Sequence, residues 1–177
     1  MSLSLHREWV AQTLVDTPLG ALRLAASAQG LGGAWFEDQK HHPGPLDAPE
    51  WADHPTLAQA RDELQAYWQA PRQTRFATPL DPAGTAFQQA VWAVLRELLP
   101  GQTCSYGALA LRLQRPQAVR AVGAAVGRNP LSLFIPCHRV LGSDGSLTGY
   151  AGGLTRKRTL LRNEGAALAA DLFASTP

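Results

Sequence analysis

The residues most able to do chemistry stand together in FIPCHRVLGSDG, residues 134–145, where Cys137 sits between Pro136 and His138 ahead of a glycine-bearing turn. A cysteine acts through its thiolate, and a free thiol with a pKa of about 8.5 needs a base or a positive field to ionise at neutral pH. His138 is the adjacent base. On an extended segment neighbouring side chains point to opposite faces, so direct contact is not assured and a bridging water is one way to join the pair. Pro136 removes a backbone donor and restricts the approach to Cys137, while Gly142 and Gly145 permit a sharp turn after it. Taken locally, Cys137 could be a nucleophile, a metal ligand or a small residue filling a core. The sequence argues against zinc: it has no Cys-x-x-Cys pair, and His41-His42 reads as a solvated loop without a well-spaced partner.

Several elements must position this stretch. VAQTLVDTPLGALRLAAS (10–27) predicts two short strands around the turn Asp16 to Gly20, and LGGAWF (31–36) a third, giving a small antiparallel sheet. The polar, proline-rich segment 37–55 reads as a loop; then Leu57, Ala60, Leu64, Tyr67 and Trp68 recur at helical spacing and predict a helix covering the sheet. TRFAT (74–78) predicts a further short strand, and PLDPAG (79–84) a linker. Beyond it, Thr85 and Gln88 form a capping box at the head of a helix whose apolar stripe is Phe87, Val91, Val94, Leu95 and Leu98, stopped by Pro100-Gly101. Ser105 caps YGALALRL, Gln114-Arg115 make a tight connection, and Pro116 opens PQAVRAVGAAVG at its first position. Two short helices around a brief turn, with Arg120 early in the second, make a helix-turn-helix candidate. The second helix is thin: Ala118, Ala121, Gly123, Ala124, Ala125 and Gly127 let its backbone approach another surface closely.

The 177 residues are 45% hydrophobic, enough for a buried core, with no apolar run near the roughly 18 residues of a membrane span. The N-terminus MSLSLHREWV lacks the layout of a secretory signal, so a cytoplasmic location is expected, where the two cysteines stay reduced. The net charge of +2 is unevenly divided: residues 1–100 hold 7 Lys/Arg against 11 Asp/Glu, whereas residues 101–177 hold 9 against 3. That basic second part suits a polyanion partner.

IPCHRV (135–140) resembles the active-site motif of the O6-alkylguanine-DNA alkyltransferases, which carry out methylated-DNA–protein-cysteine methyl transfer. FQQAVW (87–92), YG (106–107), RAVGAAVGRNP (120–130) and GYAGGLTRKRTLLRNEG (149–165) stand in that family's order, so the resemblance covers about residues 80 to 165. The hairpin with TPLG is more loosely similar to the domain that precedes it in bacterial members. The resemblance implies an α+β fold: an N-terminal antiparallel sheet and helix domain, ribonuclease H-like, over residues 1–80, then a mostly helical, winged helix-turn-helix-like alkyltransferase domain over 81–177.

It further implies that Cys137 accepts the alkyl group from guanine O6, and that His138 draws the thiol proton through a water. Glu164 would hold the imidazole, and Tyr106 would meet the leaving base at N3. Asn129 would tie the recognition-helix turn to the active-site strand, with Val140, Tyr150, Ala151 and Gly152 around the base pocket. Some relatives carry serine where Ala151 stands. A base inside a stacked duplex is out of reach, so it must be flipped out. Arg120 matches the residue that fills the vacated space. Ala121, Gly123 and Ala124 belong to the helix that lies in the minor groove, and small residues there suit binding that ignores sequence. Arg128, Arg115 and the cluster Arg156, Lys157 and Arg158 are expected phosphate contacts. The implied partner is double-stranded DNA containing O6-alkylguanine, with O4-alkylthymine a further substrate, bound by a monomer without cofactor or metal. The thioether is stable, so each molecule acts once. Cys104 matches no functional position and is expected to be packed or at the surface. Three other classes compete: a damage-binding protein that does not transfer, against which Cys137 itself argues; a sequence-reading transcription factor, for which the Ala/Gly face lacks base-reading side chains; and a cysteine hydrolase, which no oxyanion-hole motif supports.

Overall fold

The computed structural model describes residues 8–168; the first seven residues, read above for a targeting signal, and the last nine lie outside it. The N-terminal part is a three-stranded antiparallel sheet in the order β1 (Ala11–Val15), β2 (Leu22–Ser27), β3 (Gly30–Phe36). The β1–β2 turn closes because Thr17 and Gly20 exchange backbone bonds of 3.2 and 3.0 Å, with Gly20 at φ 114°, where a side chain would be strained. Helix α1 (Pro55–Gln69) buries Leu57, Ala60, Leu64 and Tyr67 against this sheet, as its spacing predicts.

The predicted strand at 74–78 does not form. The backbone amides of Ala77 and Thr78 and the Thr78 hydroxyl donate instead to the Glu63 carboxylate, at 3.1, 3.1 and 2.7 Å, so a side chain takes the bonds a ladder would need. The chain then runs along β3, where Leu31 donates to Pro79 O and accepts from Asp81 N.

Helix α2 (Ala86–Arg96) begins at the predicted capping box, with Gln88 N on Thr85 Oγ1 at 3.2 Å and Thr85 N on Gln88 Oε1 at 2.9 Å. It ends at Arg96 rather than running to Leu98, though Leu98 remains buried. Strand β4 (Cys104–Ser105) lies parallel to β5 (Val140–Leu141), which joins the start of the helix pair to the end of the cysteine segment. Ser105 caps α3 (Tyr106–Arg112) through the Ala108 amide at 3.1 Å. The connection is tight enough to hold Gln114 at φ 56°. Pro116 opens a 3-10 turn over Pro116–Ala118, not the first α-turn, because Ala118 N closes on Arg115 O at 2.9 Å; α4 (Val119–Gly127) follows. Helix α5 (Leu154–Asn163) completes the described chain. One apolar core passes from Leu24 and Phe36 of the sheet to Trp92, Val126 and Ile135. No helix among the described residues is long and apolar enough to cross a membrane.

Candidate active site

Cys137 opens a 3-10 turn, Cys137–Arg139, rather than lying on an extended strand. Pro136 cannot donate, and its carbonyl accepts from Arg139 N at 3.0 Å, which curls the segment. The cysteine is only 5% exposed, and its neighbour in space is Asn129, just past the end of α4. The Asn129 amide nitrogen donates to Cys137 Sγ at 3.0 Å and to Ile135 O at 2.8 Å, while its oxygen accepts from Leu131 N at 3.0 Å. Asn129 therefore ties the helix end to the cysteine loop as expected, and also touches the sulfur itself. Burial pushes the thiol pKa up, whereas the Asn129 bond and the nearby Lys157 charge act to lower it. The group rests as a thiol and needs a proton acceptor when it reacts.

His138 is fully buried, with Nε2 2.8 Å from Glu164 Oε1. Burial alone would raise the Glu164 carboxyl, but His138 and Arg139 facing it hold it well below the usual carboxylate range. Burial lowers the His138 pKa, and Glu164 only partly offsets this. The imidazole is thus neutral and donates Nε2–H to the carboxylate, which leaves Nδ1 as its proton-accepting atom. Nδ1 is buried and has no hydrogen-bond partner among the described residues. Glu164 is shared more widely than its predicted role: Arg139 donates to both carboxylate oxygens at 2.8 Å, and the Tyr67 hydroxyl donates to Oε1 at 2.8 Å. From the sequence, Tyr67 is only a helix position facing the sheet and Arg139 only part of the cysteine motif; neither is expected on Glu164.

The basic cluster of α5 is corrected in part. Lys157 is completely buried, its ammonium donating to the carbonyls of Val140, Thr148 and Gly149 at 2.5, 2.6 and 3.2 Å, so it faces the site and not a phosphate. Burial pushes its pKa down to about 8, against the pull of Cys137. Arg156 pairs with Asp38 at 2.8 Å, donates to Leu19 O, and lies 4.4 Å from the Phe36 ring centre; it braces the sheet. A run of like charges conceals which members are inside. Only Arg158 of the three is exposed.

A cavity of about 220 Å³ opens beside Tyr106, Gly123, Gly149, Tyr150 and Ala151. The Tyr106 hydroxyl donates to Thr148 O at 3.2 Å. Burial raises both tyrosine hydroxyls, and a thiolate at Cys137 would raise them further. Cys137, Val140 and Gly152, expected at the base pocket, are not among the residues lining this cavity, whereas Tyr150 and Ala151 are; the Val140 and Gly152 carbonyls hold Lys157 and Arg156. Along α4, Arg120, Ala121, Ala124 and Arg128 are exposed and Gly123 is half-buried, whereas Val122, Ala125 and Val126 are buried. Trp92 fixes the helix through a 2.9 Å bond from Nε1 to Ala125 O. The thin face therefore points outward. Cys104 is half-buried, and burial raises its thiol.

Comparison with known proteins gives a consistent result. Residues 86–166 match the family model described as 6-O-methylguanine DNA methyltransferase, DNA binding domain, and residues 10–82 match its ribonuclease-like domain. The methylated-DNA–protein-cysteine methyltransferase of Haemophilus influenzae is 42% identical over 155 residues, covering 86% of this chain and 84% of that protein. The protein of the same name from Mycobacterium tuberculosis H37Rv is 42% identical over 159 residues, 89% of this chain and 94% of its own. The crystal structure of Mycobacterium tuberculosis OGT in complex with DNA superposes with a TM-score of 0.79 at 40% identity, covering 93% of this chain and 99% of that one.

Proposed function

Since this chain belongs to the 6-O-methylguanine DNA methyltransferase family, we propose that it repairs DNA by moving the alkyl group of an O6-alkylguanine onto its own Cys137. The observation that carries this assignment is the buried thiol held by Asn129 and followed at once by a neutral histidine locked to Glu164. The electrophile is a saturated carbon, which calls for a soft sulfur nucleophile and offers no carbonyl for an oxyanion hole.

The reaction follows from the polarity of each group. As the sulfur attacks, the Cys137 proton passes through a water to His138 Nδ1, and the imidazolium that forms is stabilised by the Glu164 carboxylate across Nε2. The new bond joins Sγ to the alkyl carbon while the bond from that carbon to O6 breaks, and both its electrons stay with guanine. Tyr106, at the cavity wall, meets the charge that develops on the base by donating its hydroxyl proton or a hydrogen bond at N3. Lys157 lies close enough to favour the thiolate. The product is a thioether, stable under cellular conditions, so the protein is both reagent and enzyme and acts once.

The partner is duplex DNA. The exposed face of α4, with Ala121, Gly123 and Ala124, fits a narrow minor groove without reading bases, and Arg120 at its start is placed to fill the gap left by an extruded nucleotide. Arg128, Arg115 and Arg158 remain as candidate phosphate contacts. We place the protein in the cytoplasm, where a reducing milieu keeps Cys137 a thiol.

Incubation with an oligonucleotide containing O6-methylguanine, followed by intact and peptide mass spectrometry, tests the reading. One methyl group should appear on the peptide carrying Cys137 and none on a Cys137→Ser variant. Tight binding to the oligonucleotide without methylation would favour a damage-binding protein instead.

A further inference from the structure

We propose that the turn carrying Lys40 and His41, contributed by the N-terminal sheet, grips the phosphodiesters flanking the extruded nucleotide. This rests on reading the cavity beside Tyr106 as the base pocket and α4 as the DNA-binding surface. Lys40 and His41 line that same cavity, opposite a wall of glycine and tyrosine. Such a wall suits a flat base, and a lysine ammonium beside an imidazole N–H donor at its mouth suits the charged backbone that remains outside.

The turn is fastened to the site at three points. Lys40 N donates to Ala151 O at 2.9 Å, the Ser132 hydroxyl donates to Gln39 Oε1 at 3.1 Å, and Asp38 pairs with Arg156 at 2.8 Å. None of these bonds is needed to close the β-sheet itself. They fix where Lys40 and His41 stand relative to the pocket.

Charge supports the same conclusion. Glu37 is engaged by Arg23 and His42, and Asp38 by Arg156. Among the described residues no carboxylate forms an ion pair with Lys40, His41 or Arg128. Burial, and after it the charges of Arg128 and Lys40, lower the His41 pKa, so the imidazole is neutral at neutral pH and offers a phosphate its ring N–H, while Lys40 offers the charge. His41 also holds φ at 64°, a left-handed conformation uncommon outside glycine, though histidine tolerates it better than most. The unpaired charge of Lys40 and a left-handed backbone at His41 occur together at the pocket mouth, and a bound polyanion would offset the first.

The test uses the full chain, with single-turnover repair of an O6-methylguanine duplex measured over a range of salt, beside reaction with free O6-benzylguanine. Lys40→Ala should slow duplex repair about 3- to 10-fold and lower the slope of log rate against log salt by about one, with the free-base rate falling much less than the duplex rate. His41→Gly should raise the melting temperature by relieving strain and yet slow duplex repair, a combination a purely structural role would not give. A methylated wild type beside a Lys40→Ala variant with unchanged duplex rate and salt slope overturns this inference alone. Wild-type protein that takes up no methyl group overturns the functional reading and this inference with it.

Discussion

Replacing Glu164 by glutamine separates the electrostatic role of this residue from its shape. The carboxylate accepts four bonds of 2.8 Å, from the Tyr67 hydroxyl, His138 Nε2, and Arg139 Nε and Nη2. A glutamine can keep its oxygen at the Oε1 position, but its amide then faces Arg139 Nε, donor against donor, and the guanidinium loses its counter-charge while buried. Removing one partner of such a pair costs about 3–5 kcal/mol. At about 2–4 °C per kcal/mol for a chain of this size, the melting temperature should fall by roughly 6–20 °C. Catalysis should suffer separately, because the imidazolium formed at His138 loses the charge across Nε2; a fall of about 10²- to 10⁴-fold is the scale of a disabled general base. The assay is single-turnover reaction with free O6-benzylguanine, well below the variant's melting temperature, so that loss of fold and loss of chemistry stay apart. Because the folded pKa of Glu164 lies below the ordinary 4.5, its stabilisation is present above that value and is lost as pH falls. The stability gap between wild type and Glu164→Gln should therefore narrow in acid. A folded variant reacting within about threefold of wild type would refute the argument. So would a stability gap that stays constant down to acid pH.

Three further outcomes follow from the site. Asn129→Ala removes the donor on Cys137 Sγ and leaves Leu131 N without its partner, while Ile135 O keeps only its bond from Cys137 N, so the thiol pKa should rise and stability fall by about 1–3 kcal/mol; an unchanged pH profile of alkylation by iodoacetamide would count against it. Arg120→Ala should slow repair in duplex DNA far more than reaction with the free base, and equal losses would remove it from base extrusion. Lys157, held at about 8 when folded against 10.5 when free, sheds its proton on folding in that window. The unfolded chain then binds more protons, so its contribution to stability rises from about pH 8 towards 10.5, and Lys157→Met should flatten that rise in denaturant titrations at the two ends.

The residues that declared themselves in the sequence are those whose pattern is local. Thr85 and Gln88 cap α2 because the box needs only a turn of chain, and the apolar spacing of α1 fixes its buried face without help from elsewhere. Cys137, His138 and Glu164 came from an ordered set of motifs, since nothing near Glu164 in sequence distinguishes it from a solvated acid. Lys157 was misplaced for the converse reason: amid Arg156 and Arg158 it looks like surface charge, and only the three carbonyls it satisfies explain its burial. Tyr67 reads as one more apolar position of α1, because its hydroxyl partner is 97 residues away. The strand expected at 74–78 failed on a single competitor, Glu63, whose carboxylate lies one helix back in the chain.

These long-range contacts give the N-terminal sheet a part in the chemistry. The segment before Cys137 holds Leu133, fully packed, at φ 74°, a conformation that costs a bulky residue about 1–3 kcal/mol and persists only when its surroundings enforce it. The enforcement comes from the edge of β3: Ala34 N donates to Pro130 O and Ala34 O accepts from Ser132 N, both at 2.9 Å. An edge that would otherwise invite another strand is thus used as a template for the cysteine loop. Gln39 fixes Ser132 from the next turn, and Tyr67 fixes Glu164 from the helix behind. Cys137 and His138, the proposed nucleophile and base, are therefore each set from two sides, one in each half of the chain. The precision that a buried proton transfer demands arises where the halves meet, which is why neither half alone holds the complete site.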